Sequence, residues 1–334
     1  MAKASLSIGI VGLPNVGKST LFKLLTSNDI VIANYPFATI NPNIGVVPVI
    51  DERLDTLSKM SNSQNTVPAV VEFYDIAGLV KGASTGAGLG NQFLGHIKDV
   101  SAVIQVLRCF EDPEIIHVEN SVNPVRDMDI INSELALKDL AVIEARLPRA
   151  QQDVKRGVKE AKAEVELLTL VKEKLEKEES VIEYKDNKTL NQLGVLSIKP
   201  RFYLLNGAEE NLTEELRNAI AKEGSEYLVM DLSSTPDISE LTKKAYSVLG
   251  LISFFTTGEK ETRAWTIKKG STAPKAAGVI HTDFENKFIR AEVVSYDDFV
   301  SLDGWSKARQ NGKLRTEGKE YVVQEADIME ILHS

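Results

Sequence analysis

Eight residues near the start of the chain, Gly12-Leu13-Pro14-Asn15-Val16-Gly17-Lys18-Ser19, match the phosphate-binding pattern G-x-x-x-x-G-K-[ST]. The glycines let backbone N–H groups from Asn15 through Thr20 point inward at a phosphate, and the following helix N-terminus adds partial positive charge. Lys18 supplies a full charge for binding and for the transferred phosphoryl group, while Ser19 offers a hydroxyl to Mg2+. Such a loop binds a nucleoside triphosphate. Two later stretches supply what the loop lacks. Asp75 in Asp75-Ile76-Ala77-Gly78 is placed to hold Mg2+ through a water, and Gly78 lets its backbone N–H approach the γ-phosphate. Thr39, in the proline- and asparagine-rich stretch Asn34 to Gly45, is the second expected metal ligand; an ordinary surface threonine in a turn is the alternative. Directly after Gly78 stands Leu79, which has no polar group to orient an attacking water. Hydrolysis is then slow or assisted, with His117 as catalytic candidate and His96 as a second, against a structural role for either.

The elements that must carry these residues follow from local pattern. Leu6 to Val11 reads as a buried strand and Thr20 onward as a helix, the strand-loop-helix context that the phosphate loop requires. Val67 to Tyr74 is β-rich and delivers Asp75, and the glycine-rich run from Leu79 to Asn91 forms a second switch. From Ser121 to about Lys199 the alternation of strands and helices stops. Apolar and charged residues recur there at helical spacing over Ile130 to Arg149 and Val154 to Glu179, which predicts an inserted antiparallel helical hairpin or coiled coil. Arg201 to Leu205 returns as a buried strand, followed by a helix over Leu212 to Lys222 and a strand over Tyr227 to Leu232; Ser233 and Ser234 then offer backbone N–H groups to a base. The terminal part reads as strand Thr262 to Lys268, helix Thr272 to His281, strand Phe288 to Ser295 and short strands near Tyr321 and Ile328, an order that suits a β-grasp fold.

Composition bounds these readings. The 334 residues carry a net charge of −9, which argues against a protein that coats nucleic acid by bulk electrostatics. Cys109 is the only cysteine, so neither an intrachain disulfide nor a cysteine-based metal site can form. No apolar stretch is long enough to span a bilayer and no signal-type run opens the chain, so the cytoplasm is the expected compartment.

The phosphate loop as G-L-P-N-V-G-K-S-T, the switch N-Y-P-F-A-T-I-N-P-N-I-G-V-V, the block D-I-A-G-L-V-K-G-A-S and the later L-G-N-Q-F-L resemble the Obg-related translation-factor NTPases, and among them the YchF family of Obg-like ATPases. V-L-R-C-F-E, N-S-E-L-A-L-K-D-L and the terminal R-A-W-T-I-K-K-G and F-I-R-A-E-V extend the similarity over nearly the whole chain. The resemblance implies an α/β P-loop domain with a mostly parallel sheet over 1–120 and 200–251, a helical insertion over 121–199, and an α+β β-grasp (TGS) domain over 252–334. In guanine-specific relatives the base loop reads N-K-x-D; here Asn206-Gly207-Ala208-Glu209 lacks the lysine and lengthens the acid, so the acceptor no longer sits where guanine needs it. The N-x-x-E pattern implies adenine preference, with Asn206 partnering N6–H and N7. Glu209 either contacts the nucleotide or caps the following helix. The segment between Thr235 and Leu241 is shorter than is usual in the family.

Partners are implied by the same likeness: the ribosome, its large subunit or the whole particle, and RNA, through the TGS domain and the helical insertion, with no DNA and no membrane, the chain acting as a monomer. Trp265 and Phe284 read as core residues, while Lys268, Lys269, Lys275, Lys287 and Arg290 are the phosphate-contact candidates. The favoured function is a ribosome-associated, Mg2+-dependent ATPase switch in translation. A nucleotide-gated RNA-binding module with incidental hydrolysis, and a GTP-specific GTPase, are the alternatives.

Overall fold

Strand β1 (Ser7–Val11) is buried along its whole length and hands the chain to the phosphate loop, after which α1 (Lys18–Ser27) begins at the lysine itself. The structure, a computed structural model, describes residues 7–27, 43–76, 89–235 and 237–334. Then come β2 (Ile44–Pro48), α2 (Glu52–Met60), β3 (Asn65–Val67), β4 (Val70–Asp75), α3 (Leu89–Asp99) and β5 (Ala102–Arg108). The chain continues through α4 (Pro124–Lys155), α5 (Ala161–Glu176), α6 (Lys188–Leu193), β6 (Arg201–Asn206), α7 (Glu214–Lys222) and β7 (Glu226–Met230). The last stretch holds α8 (Ser239–Val248), β8 (Leu251–Thr257), β9 (Glu261–Lys268), α9 (Ala273–Ile280), α10 (Thr282–Asn286), β10 (Phe288–Ser295), α11 (Tyr296–Ser301), α12 (Trp305–Gln310), β11 (Arg315–Glu317) and β12 (Asp327–His333).

Two compact units result; of the described residues the first holds 7–27, 43–45, 72–76, 89–235 and 237–238, the second 46–71 and 239–334. In the first, the strands run in the order β2-β4-β1-β5-β6-β7, with β4, β1, β5, β6 and β7 paired in parallel. Parallel strands are covered on both faces, which is why β1, β5 and β6 are nearly unbroken apolar runs. β1 sits centrally, so the loop that follows it opens at the C-terminal edge of the sheet, where parallel α/β sheets bind ligands.

The helical insertion is present, with boundaries set by its caps. Asn123 accepts a hydrogen bond from Arg126 N–H, and Pro124 stands in the first turn, so α4 starts six residues before the apolar periodicity shows it. The chain turns between Lys155 and Ala161, where Gly157 takes φ +78°; the second helix therefore starts well after Val154. α4 and α5 pack through Ile143, Ala150, Leu168, Val171 and Leu175, and Arg146 grips Glu164 with two hydrogen bonds of 2.7 Å. Midway along its length α4 is tied to the segment leading into β6: Asp139, wholly buried, accepts from the N–H groups of Leu196 and Ser197 at 2.7 Å each.

The second unit holds a sheet in the order β11-β10-β12-β8-β9-β3. Hairpin β8–β9 and strand β10 flank β12, which runs antiparallel to β10 and parallel to β8. Strands β8 to β12 thus have the expected β-grasp arrangement, with α9 packed on the sheet through Ala273, Ala276 and Ala277 against Phe254, Phe288 and Val293. Three features depart from the sequence reading. Leu251 to Thr257 is a full strand, two helices follow β10, and the strand expected near Tyr321 is reduced to one bridge between Thr272 and Val322. The sixth strand is the larger surprise: β3, nearly two hundred residues upstream, pairs in parallel with β9. Ser63 Oγ donates to Gly258 O at 2.7 Å, Gln64 N–H to Glu259 O at 2.9 Å, and the Arg53 guanidinium bonds Glu325 at 2.6 Å while lying over the Phe255 ring. The stretch that carries α2 and β3 therefore belongs with this sheet.

Candidate nucleotide-binding site

The phosphate loop is packed too tightly for side chains at its glycines. Gly17 takes φ +110°, and a Cβ there would stand against Asn206 Nδ2 and 3.1 Å from Leu232 Cδ1. At Gly12 an added Cβ would lie 2.7 Å from Val106 O. Lys18 is buried, and its ammonium donates to Leu13 O at 2.7 Å, closing the loop on itself. Burial lowers the Lys18 pKa from its ordinary 10.5 to about 8, with the Asp75 carboxylate working in the opposite direction. Burial likewise pushes the Asp75 carboxyl up, opposed by Lys18. Asp75 ends β4 opposite Ile10 of β1, which is what brings it to the lysine.

At the other end of the site Asn206, the last residue of β6, donates through Nδ2 to Val16 O at 2.9 Å and accepts through Oδ1 from Leu232 N–H at 3.2 Å. One buried amide thus ties the phosphate loop to the loop after β7. Glu209 opens a short 3-10 turn, Glu209–Asn211, and its carboxylate accepts from Arg217 Nη2 at 2.8 Å on the exposed side. Asn211 Oδ1 accepts from Ala208 N–H. In the loop after β7, Asp231 accepts from the Ser233 N–H and from the Ser233 and Ser234 hydroxyls, which hold its carboxyl below the usual carboxylate range. The Ser233 N–H expected to meet a base is therefore bonded to Asp231.

A third wall comes from residues 110–115. Arg108, at the end of β5 and 1% exposed, donates to the carbonyls of Phe110, Asp112 and Ile115 at 3.0, 3.1 and 2.9 Å and lies over the Phe110 ring. Asn15, at φ 62°, reaches across from the phosphate loop to Ile116 O. The three walls enclose a cavity of about 530 Å3. Of the expected ligands, Asn15, Gly17, Lys18, Ser19, Thr20, Asn206 and Ser233 line it. Val16 contributes a buried side chain and a carbonyl to the loop's frame instead. Glu209 does not line the cavity, although Ala208 and Asn211 on either side of it do. Phe110, Asp112, Ile115, Asn211 and Asp231 were missed in the sequence; the buried arginine that ends an apolar strand was the one available signal for the first three.

Thr39 and Gly78 lie outside the described residues. His117 is described: Nε2 bonds Asp127 Oδ2 at 2.8 Å and Nδ1 accepts from Glu119 N–H at 3.1 Å, with the side chain 3% exposed. Both ring nitrogens are engaged in this arrangement. His96 is an exposed residue in the last turn of α3. Among the described residues no three His, Cys, Asp or Glu side chains converge as a metal site. The donor set suits a hard cation carried in on phosphate: the Ser19 hydroxyl at the cavity and the Asp75 carboxylate at the strand tip are both oxygen ligands.

Comparison with known proteins agrees with this geometry. Residues 7–142 match a family model described as a 50S ribosome-binding GTPase, and residues 251–334 match the YchF GTPase C-terminal model, described as a protein of unknown function. The chain is 44% identical over 355 aligned positions to the ribosome-binding ATPase YchF of Escherichia coli O157:H7, covering 97% of this chain and 98% of that one. It is 43% identical to the protein of the same description from Bacillus subtilis, with the same coverage. A solved structure of the Schizosaccharomyces pombe YchF GTPase superposes with a TM-score of 0.86 at 37% identity, covering 99% of both chains. With phosphate loop, inserted hairpin and β-grasp sheet all in place, the chain belongs to the YchF family.

Proposed function

We propose that this chain is a ribosome-associated nucleotide hydrolase that takes ATP in preference to GTP and uses the bound nucleotide as a switch in translation. The observation that carries the nucleotide reading is the cavity in which the Lys18 ammonium and the Asn206 amide, 188 positions apart in sequence, meet across one phosphate loop. Relatives in bacteria are described as ribosome-binding ATPases and the yeast structure as a GTPase, so the base must be argued from the site. Gly207 offers no side chain to pack along a base, and the Glu209 carboxylate is engaged by Arg217. A guanine N1–H and N2–H would then go unpaired on this loop, at a cost of about 1–3 kcal/mol for each buried donor.

In this mechanism Lys18 leaves Leu13 O for the β- and γ-phosphate oxygens and regains full charge there, while the N–H groups of Asn15 to Thr20 hold the polyphosphate in line. Ser19, Asp75 and Thr39 are the residues that would hold Mg2+, which when bound neutralises charge building on the phosphate oxygens. Leu79 leaves the attacking water without a polar partner, so turnover of the isolated protein is slow and the ribosome supplies what is missing. Thr39 and Gly78 report the nucleotide state, and the difference in ribosome affinity between the two states is what makes the cycle a switch. The exposed Lys268, Lys269, Lys287 and Arg290 are the RNA-phosphate contacts in the second unit, whereas Lys275 is paired with Glu285. The cytoplasm is the compartment this requires.

Calorimetry with Mg-ATP and Mg-GTP on the wild type and on Gly207→Lys with Glu209→Asp tests the reading. The wild type should bind ATP at least tenfold tighter (about 1.4 kcal/mol), and the double substitution should narrow the gap. GTP binding tenfold tighter than ATP to the wild type would overturn it.

A further inference from the structure

From the contacts around the base loop we infer that Arg217 sets the base preference of this enzyme, by holding the Glu209 carboxylate out of the cavity. The inference rests on the reading that the cavity binds ATP. The residues on either side of the 3-10 turn, Ala208 and Asn211, both line the cavity, so the backbone of Glu209 runs along its rim. Its side chain nevertheless leaves the rim and bonds Arg217 Nη2 at 2.8 Å.

Arg217 is fixed independently of Glu209. It projects from α7, donates to the Tyr227 hydroxyl of β7 through Nη1, and lies over the Tyr227 ring with its guanidinium carbon 5.7 Å from the centroid. A second carboxylate, Glu214, stands 3.8 Å from its Nε. The arginine is thus held by Tyr227 as well as by Glu209, and Glu209 is the more exposed member of the pair. A glutamate is the acid best able to span both positions: it is one methylene longer than the aspartate of guanine-specific loops and carries the same two acceptor oxygens. Released, that carboxylate can swing to the rim and accept from guanine N1–H and N2–H, groups that adenine does not present. Adenine has only an acceptor at N1, which a carboxylate repels. Arg217 is therefore a positioning residue whose effect falls on the choice of base and on no other step.

The test is a double-mutant cycle read as the ratio of ATP to GTP affinity in the intact chain with Mg2+. Arg217→Ala should tighten GTP binding about tenfold, the order expected for a hydrogen bond to a charged group, with ATP binding within about twofold of wild type or weaker. Arg217→Ala combined with Glu209→Gln should return GTP binding to the wild-type level, and Glu209→Gln alone should leave it there. Tyr227→Phe, which removes one anchor and keeps the ring, should give a smaller gain of the same sign and serves if Arg217→Ala unfolds. A wild type that prefers ATP, with GTP affinity unchanged in Arg217→Ala and in Tyr227→Phe, would overturn the inference and leave the ATPase reading standing. GTP preference in the wild type would remove both.

Discussion

Lys18 carries a pH signature at the phosphate loop. Its pKa falls from 10.5 to about 8 on folding, because burial disfavours the charged ammonium. Between those two values the unfolded chain binds more protons than the folded one, so this group's contribution to stability rises with pH from about 8 to 10.5. Nucleotide reverses the balance: polyphosphate beside Lys18 raises its pKa, and binding takes up a proton. Calorimetry at pH 8.0 in two buffers of different ionisation enthalpy should read an uptake of about half a proton, and affinity should fall as pH rises past about 8. Proton release on binding would contradict this. His117 gives the second prediction at this scale. Its replacement by alanine takes a hydrogen-bond partner from Asp127, which is wholly buried, and leaves it the Arg126 guanidinium. We expect a loss of about 2 kcal/mol of stability from the unmatched buried acceptor, seen as a lowered Tm, while turnover per folded molecule stays within a few-fold. A hundredfold loss of turnover at unchanged Tm would place the histidine in the chemistry instead.

Elements were legible in the sequence where one local rule decided them. The phosphate loop, β1 and β6 follow from glycine spacing and from unbroken apolar runs, and all three stand where the pattern puts them. The hairpin was visible by period, but its ends were not, because caps rather than periodicity decide them: Asn123 starts α4 before the apolar stripe does, and Gly157 breaks a run that reads as continuous. Helices α11 and α12 are six residues each, too short for a period to register, and their start signals are the Ser295 hydroxyl and the positive φ of Gly304. The site divides in the same way. Residues fixed by motif, from Asn15 to Thr20 and Asn206, line the cavity or frame it. Asn211 and the 110–115 wall depend on which carbonyls Arg108 faces and which way a 3-10 turn rolls, and neither is written in residue spacing. Glu209 shows the limit most sharply: the motif gives its position in the chain, while its carboxylate is bonded to Arg217, eight residues on.

Across the whole molecule, the chain order of motifs and the membership of the two units do not coincide. Residues 46–71 lie between the Thr39 stretch and Asp75 in sequence, inside the span matched by the GTPase model, yet they supply α2 and β3 to the sheet of the C-terminal unit. A fragment cut to residues 251–334 keeps five strands and loses the sixth, so the outer edge of β9 is bared and Arg53 no longer braces Glu325. We expect that fragment to self-associate and to melt below the intact chain in light scattering and circular dichroism, and addition of a peptide covering 46–71 to reverse both effects. A monomeric fragment with unaltered melting would show that β9 needs no neighbour. The same feature constrains descent. A recombination event that moved the terminal module alone into another gene would deliver a sheet with an uncovered edge, and only a transfer that also carried a stretch encoded some two hundred codons earlier would deliver the sheet complete.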